Sequence, residues 1–473
     1  MPSRAKRQLL WVFGLSLLLA IAAAHLVGQR KHTQFYGDES GWMGASFQTA
    51  ELLFDGEFDP AHLSAIRRNY GNLNPQLGKL MLGVPLVLYS DAYFGGARFE
   101  LTTRYNWNGE PYAVKRALGE VPPRTLLHVG RAITAIYGAV CVLVVFVAGW
   151  IWFDARVGLV AALLLLLTPT FVEATTRVMT DVYYNLFLLA GCIVASLGVR
   201  RAPDGRDLVL AAACGALGGL ASAVKITGFL LVGATYCAAV VLRNLREGGS
   251  IRRVAKPLAT YTATALACIY ALNPFYWPEY ARIEPRELSR EVRQIISGDG
   301  AVAFSAPLPD LLGSIAYERR EIVAAYPQLY NIARPLEFPV QFLRWKRLWE
   351  RQEASIPWPR DRSRLAVATR KLALELTAFP FEWIFLVCGG VYCARSVRVG
   401  WQARRLSPRI VVLVWVGLVL AGIVTAAPRP EDRFFLPGVI ATRILVAAGL
   451  LAVVDWVQKW LFADRSPPAR PLS

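Results

Sequence analysis

Leu9-Leu10-Trp11-Val12-Phe13-Gly14-Leu15-Ser16-Leu17-Leu18-Leu19-Ala20-Ile21-Ala22-Ala23-Ala24-His25-Leu26-Val27-Gly28 is an apolar run preceded by the basic residues Arg4, Lys6 and Arg7. A bilayer is crossed by roughly 17–25 such residues in a helix. Beyond it stands Phe35-Tyr36-Gly37-Asp38-Glu39-Ser40-Gly41-Trp42, with two adjacent carboxylates. A secretory signal peptide is the competing reading. The run is long for the apolar part of one, and no small-x-small cleavage site separates it from the acidic pair. It therefore reads as a retained span, with Asp38-Glu39 on the side of the membrane opposite the basic N-terminus.

The rest of the chain agrees with that reading. Of 473 residues, 55% are hydrophobic and only 18% charged, and the mean hydropathy is +0.37. These values describe a polytopic membrane protein rather than a soluble multidomain chain. The net charge of +18 does not indicate nucleic acid, because the basic residues gather in short loops between apolar runs, where they set orientation and attract anionic lipid head groups. All seven cysteines (Cys141, Cys192, Cys214, Cys237, Cys268, Cys388 and Cys393) fall inside apolar runs, which speaks against a disulfide framework or a thiolate metal site.

Spans are expected near 9–28, 133–152, 157–173, 182–199, 208–224, 226–242, 258–275, 376–394, 410–427 and 436–457. With the N-terminus inside, the loops 153–156, 200–207, 243–257, 395–409 and the C-terminal tail carry fifteen arginines, while the short outer loops hold only Arg177, Lys225, Arg429 and Arg433. This satisfies the positive-inside rule. The run Leu80 to Tyr89, interrupted by Pro85, is too short to span and suits an interfacial or re-entrant helix. Two long outer segments remain, 29–132 and 276–375. Within the second, Glu318 to Glu350 has the character of amphipathic helices on the membrane surface. The expected fold is thus an all-α polytopic membrane protein, a single domain over 1–473, with about ten transmembrane helices and two long outer loops bearing interfacial helices.

In this topology the polar residues at the outer ends of the spans share one face. They are Asp38 and Glu39 after span one; Asn74-Pro75-Gln76-Leu77-Gly78-Lys79 in the first long loop; Arg177 and Asp181 between spans three and four; Lys225 between spans five and six; and Glu431-Asp432-Arg433 before the last span. Taken singly, each has a plainer reading. Arg177 and Arg433 serve as interfacial anchors, Lys225 snorkels, Asp181 caps a helix, and Asp38-Glu39 is an exposed loop pair. Together they mark a site, since charge at the edge of the hydrocarbon layer is costly. A carboxylate can take a proton from an attacking hydroxyl or amine. Arginine and lysine can hold a phosphate whose charge grows as it leaves. Both at a membrane surface suit transfer from a lipid-linked phosphate.

At these residues the chain resembles a GT-C class membrane glycosyltransferase of the family 39/83 type, the group of dolichyl-phosphate-mannose protein mannosyltransferases and bacterial aminoarabinose transferases. Four segments carry the resemblance: Tyr36-Gly37-Asp38-Glu39; Asn74-Pro75-Gln76-Leu77-Gly78-Lys79-Leu80; Thr168-Pro169 followed by Arg177-Val178-Met179-Thr180-Asp181; and Asp432-Arg433-Phe434-Phe435-Leu436-Pro437. The resemblance implies Asp38 as catalytic base with Glu39 beside it, and Asp181 shaping the acceptor or sugar pocket. It implies Lys79, Arg177, Lys225 and Arg433 as candidates for the donor phosphate, with Asn74 and Gln76 in the acceptor pocket. The implied reaction is inverting displacement from a polyprenyl-phosphate-linked sugar onto a glycan, lipid or protein acceptor. Membrane lipids are expected partners and nucleic acid is not. The expected location is a bacterial inner (plasma) membrane, N-terminus cytoplasmic and active site periplasmic.

Gln76 departs from the family's second proline, and Gly41-Trp42 from its usual spacing, which leaves the acceptor open. No cofactor is expected. A divalent metal on Asp38, Glu39 and Asp181 is the less favoured option, because His25, His32, His62 and His128 are the only histidines. The alternative function is a transporter or flippase of an anionic lipid or solute, for which Glu382, Arg443 and Asp455, deeper in the spans, would be the telling charges.

Overall fold

The computed structural model describes residues 4–33, 35–56, 76–94, 112–118, 121–200, 207–225, 227–272, 382–403, 406–426 and 436–462. Asn74, Arg433, the loop 276–375 and the stretch Glu318 to Glu350 lie outside them. Among the described residues every regular element is a helix, so the all-α class is borne out. Near the N-terminus come α1 (Arg4–Gln29), α2 (Asp38–Asp55), α3 (Leu77–Phe94) and α4 (Tyr112–Ala117). The central group is α5 (Arg124–Trp152), α6 (Ala155–Leu166), α7 (Pro169–Thr176), α8 (Asp181–Arg200), α9 (Asp207–Val224), α10 (Thr227–Arg246) and α11 (Ile251–Ala271). The last three are α12 (Glu382–Gln402), α13 (Arg409–Ala426) and α14 (Leu436–Phe462).

Each of the apolar runs named above falls, among the described residues, on a helix or a bent pair of helices. Among the described residues, five helices (α5, α8, α9, α10 and α14) are long and apolar enough to cross a membrane by length and composition, and a sixth span results if one bent pair counts. That pair covers the span expected over 157–173, which is broken rather than one continuous helix. The chain bends by 67° between α6 and α7. The cause is local: Thr168, held extended at φ −82° and ψ 116°, precedes Pro169 at the first turn of α7. A residue before proline is driven out of the helical region, while proline itself is well placed at a helix start.

Helix α5 packs against α1, α6 and α8; α9 lies against α8, α10 and α11; α14 joins α6 to α12. Buried side chains from α1 through α14 form one continuous apolar core. The described part of segment 29–132 is largely helical rather than a loop. Helix α2 opens with both acidic residues in its first turn, where carboxylates suit the helix dipole. It closes on Gly56 at φ +67°, whose N–H returns to Leu52 O, a left-handed cap that glycine adopts at little cost. Helix α3 contains the run Leu80 to Tyr89, is not among the span candidates, and packs along α2.

Charged residues within and at the ends of these helices are paired. Arg443 donates to Glu382 at 2.6 Å with both side chains buried. Arg156 bridges to Asp455 at 3.1 Å, and Arg243 holds Asp207 through two nitrogens at 2.7 and 2.9 Å.

Candidate active site

The acidic pair divides at the start of α2. Asp38 is half-buried, whereas Glu39 is fully buried. The carboxylate of Glu39 accepts four hydrogen bonds. One comes from the backbone N–H of Tyr36, three residues earlier, at 2.9 Å. Two come from Arg131, Nε to Oε1 at 2.8 Å and Nη2 to Oε2 at 2.7 Å. The fourth is from Val178 N–H at 2.9 Å.

Arg131 belongs to α5, and its remaining donor atom goes to the end of α1, with Nη1 bonding Thr33 O at 2.7 Å and Arg30 O at 3.2 Å. One buried guanidinium thus ties together α1, α2 and α5, and through Glu39 the loop between α7 and α8. A planar fork of fixed donors suits this task, which a lysine could not perform. Thr33 reinforces the junction through its hydroxyl, 2.7 Å from that of Thr176.

The loop so held carries Arg177, whose guanidinium lies over the ring of Tyr36, 4.8 Å from its centroid, and pairs with Glu173 one turn earlier. Next comes Asp181, buried at the start of α8, whose carboxylate takes the ammonium of Lys225. Lys79 is buried on α3, with Nζ 3.5 Å from Gln76 Oε1, and Gln76 also accepts from Thr49 of α2 at 3.2 Å. Burial drives the Lys79 ammonium down to about 7, because the charged form loses its hydration.

Gly78 brings these segments into contact. A Cβ at Gly78 would meet Thr180 Cγ2 at 2.8 Å and Val224 Cγ1 at 3.1 Å. The residue before Lys79 is therefore wedged between the one before Asp181 and the one before Lys225. Gly130 makes a similar approach on the other side, where an added Cβ would lie 3.1 Å from Val178.

Of the expected site residues, Asp38, Glu39, Gln76, Lys79, Arg177, Asp181 and Lys225 belong to one contiguous cluster of segments. Asn74 and Arg433 lie outside the described residues. Sequence reasoning missed Arg131. Its signal is an arginine interrupting apolar sequence, in Leu126-Leu127-His128-Val129-Gly130-Arg131-Ala132-Ile133.

Comparison with known proteins gives first the class. The helical fold is shared with the archaeal oligosaccharyltransferase AglB from Archaeoglobus fulgidus, solved in complex with an inhibitory peptide and a dolichol-phosphate. The two align at a TM-score of 0.55 and 14% identity, over 99% of this chain and 53% of that one. The apo form of the Archaeoglobus fulgidus enzyme aligns at 0.51 and 14% identity, over 95% and 52%. The chain spans about half the length of these oligosaccharyltransferases. More particularly, residues 119–281 match the model of the dolichyl-phosphate-mannose-protein mannosyltransferase family, a region containing Arg131, Arg177, Asp181 and Lys225. No curated protein sequence matches the chain significantly. The GT-C resemblance read from the sequence is borne out by the family match and the shared fold.

Proposed function

We propose that this chain is an integral membrane glycosyltransferase that moves a sugar from a polyprenyl-phosphate-linked donor to an acceptor on the outer face of a bacterial inner membrane, its N-terminus in the cytoplasm. Asp38 takes the proton from the acceptor hydroxyl or amine as that group attacks the anomeric carbon. The bond from that carbon to the phosphate oxygen breaks, and a polyprenyl monophosphate leaves with inverted configuration at the sugar. Lys79, Arg177 and Lys225 offset the charge that develops on the phosphate; Arg433 and Asn74 remain candidates of the same site. Asp181 holds Lys225, and Gln76 lines the acceptor side.

Glu39, expected from the sequence to act beside Asp38, is in this reading a positioning residue, since both its oxygens are taken by Arg131, Tyr36 and Val178. The observation that carries the reading is this lock. It fixes the start of α2, with Asp38, to the loop bearing Arg177 and Asp181.

The test is transfer of radiolabel from a polyprenyl-phosphate sugar by the purified protein. Wild type consumes the donor, and Asp38→Ala inserts normally but does not transfer. Retained transfer in that variant sinks the assignment of the base. Transfer is also expected to survive chelation of divalent metals. The glycosyltransferase reading is preferred to a transporter because Glu382 and Arg443 hold each other in a buried pair rather than facing a polar cavity.

A further inference from the structure

The hydroxyl of Thr180 has no assigned use. Thr180 is 1% exposed, and among the described residues its Oγ1 meets no hydrogen-bond partner. Other buried threonines return their hydroxyls to the carbonyl one turn back, as Thr49 does to Ala45, Thr134 to Gly130 and Thr235 to Leu231. Thr180 immediately precedes α8, where a threonine ordinarily accepts from an N–H two or three residues on. It makes no such bond. A buried hydroxyl left unpaired is expensive, and in a native protein it asks for an explanation.

Its neighbourhood supplies one. It is the methyl of Thr180, not its hydroxyl, that faces Gly78. Lys79 follows Gly78, Arg177 lies three residues earlier, and Asp181, the next residue, pairs with Lys225. An unpaired donor among three cations matches a phosphate oxygen. Lys225 and Arg177, each with its side chain 22% exposed, are the accessible members of the group, and of the two Lys225 is the one held by Asp181, next to Thr180.

We infer that Thr180 is a phosphate-binding residue: its hydroxyl donates to the phosphate of the polyprenyl-linked donor, which enters past Lys225 and draws that ammonium from Asp181. The inference rests on the glycosyltransferase reading and deepens it.

The test is binding of a polyprenyl monophosphate to the full chain in nanodiscs, with inorganic phosphate as a second probe, in wild type, Thr180→Val and Thr180→Ser. Thr180→Val should weaken polyprenyl-phosphate binding by about tenfold or more, as expected for loss of a hydrogen bond to a charged group. Thr180→Ser should restore it, and inorganic phosphate should bind far more weakly throughout. The Tm of unliganded Thr180→Val should stay level or rise, since no native bond is lost. Unchanged binding by Thr180→Val overturns the inference, and so does a lowered Tm, which would show the hydroxyl already partnered inside the protein. If wild type itself fails to bind polyprenyl phosphate, the donor reading falls and this inference falls with it.

Discussion

Arg131 and Glu39, 92 residues apart in the chain, form a buried bidentate pair at 2.7 and 2.8 Å that joins α5 to the first turn of α2. Removing one partner strands a charge in the interior, which costs about 3–5 kcal/mol. Arg131→Ala should therefore lower the thermal unfolding midpoint in detergent, followed by tryptophan fluorescence, and abolish transfer. Arg131→Lys keeps the charge without the fork and should recover only part of the stability. Asp38→Ala should lose transfer at unchanged Tm, and that contrast separates chemistry from positioning. A stable, active Arg131→Ala would refute the lock.

Lys79 makes the site sensitive to pH. Its folded pKa of about 7 lies below the unfolded value near 10.4. Between those values the unfolded chain binds more protons than the folded one, so stability rises with pH across that window. Donor binding runs the other way. An ammonium holds phosphate and a neutral amine does not, so affinity for a phosphodiester donor, whose single charge is constant here, should fall as pH rises through 7. Lys79→Met should bind weakly at all pH values and lose that dependence. The same pH profile in Lys79→Met and wild type would exclude Lys79 from the phosphate site.

Much of this arrangement was legible because a membrane makes charge conspicuous. Asp38, Lys79, Arg177, Asp181 and Lys225 stand out against apolar sequence, and orientation alone put them on one face. What stayed hidden was pairing. Nothing local in the sequence separates Asp38 from Glu39, since their difference depends on Arg131 and the Val178 N–H arriving from distant segments. Arg131 sits two residues before an apolar run and reads as an ordinary interfacial anchor. The bend at Thr168-Pro169 was written in the sequence, but uninterrupted hydropathy on both sides of it concealed the break. Helix α2 has a weak apolar pattern because both α3 and the bundle cover it.

The close contact between α2 and α3 depends on Gly83. A Cβ there would stand 2.0 Å from Ser46 O, a backbone atom with little room to retreat. Gly83→Ala should part the two helices and cost about 1–3 kcal/mol as overpacking, with loss of transfer because Lys79 shifts relative to Asp38. Gly14 has nothing within 4 Å of an added Cβ. Gly14→Ala, in the middle of α1, should be neutral or stabilising by up to about 1 kcal/mol. Calorimetry on the two variants checks the difference, and equal midpoints would show that α2 and α3 tolerate separation.

Glu382 and Arg443 pair at 2.6 Å with side-chain exposures of 3% and 0%, where α12 crosses α14. A glycosyltransferase acting at the outer face has no use for this pair beyond joining helices, whereas a transporter would need it to titrate or exchange partners. Arg443→Ala should destabilise by about 3–5 kcal/mol, since the buried Glu382 carboxylate loses its ion-pair partner. Replacing both partners, Glu382→Leu with Arg443→Met, removes the desolvation cost along with the attraction and should return the Tm to near the wild-type value. Sugar transfer should follow stability, lost in the single variant and regained in the double. A well-folded double variant without transfer would show that the pair serves function directly and would reopen the transport reading.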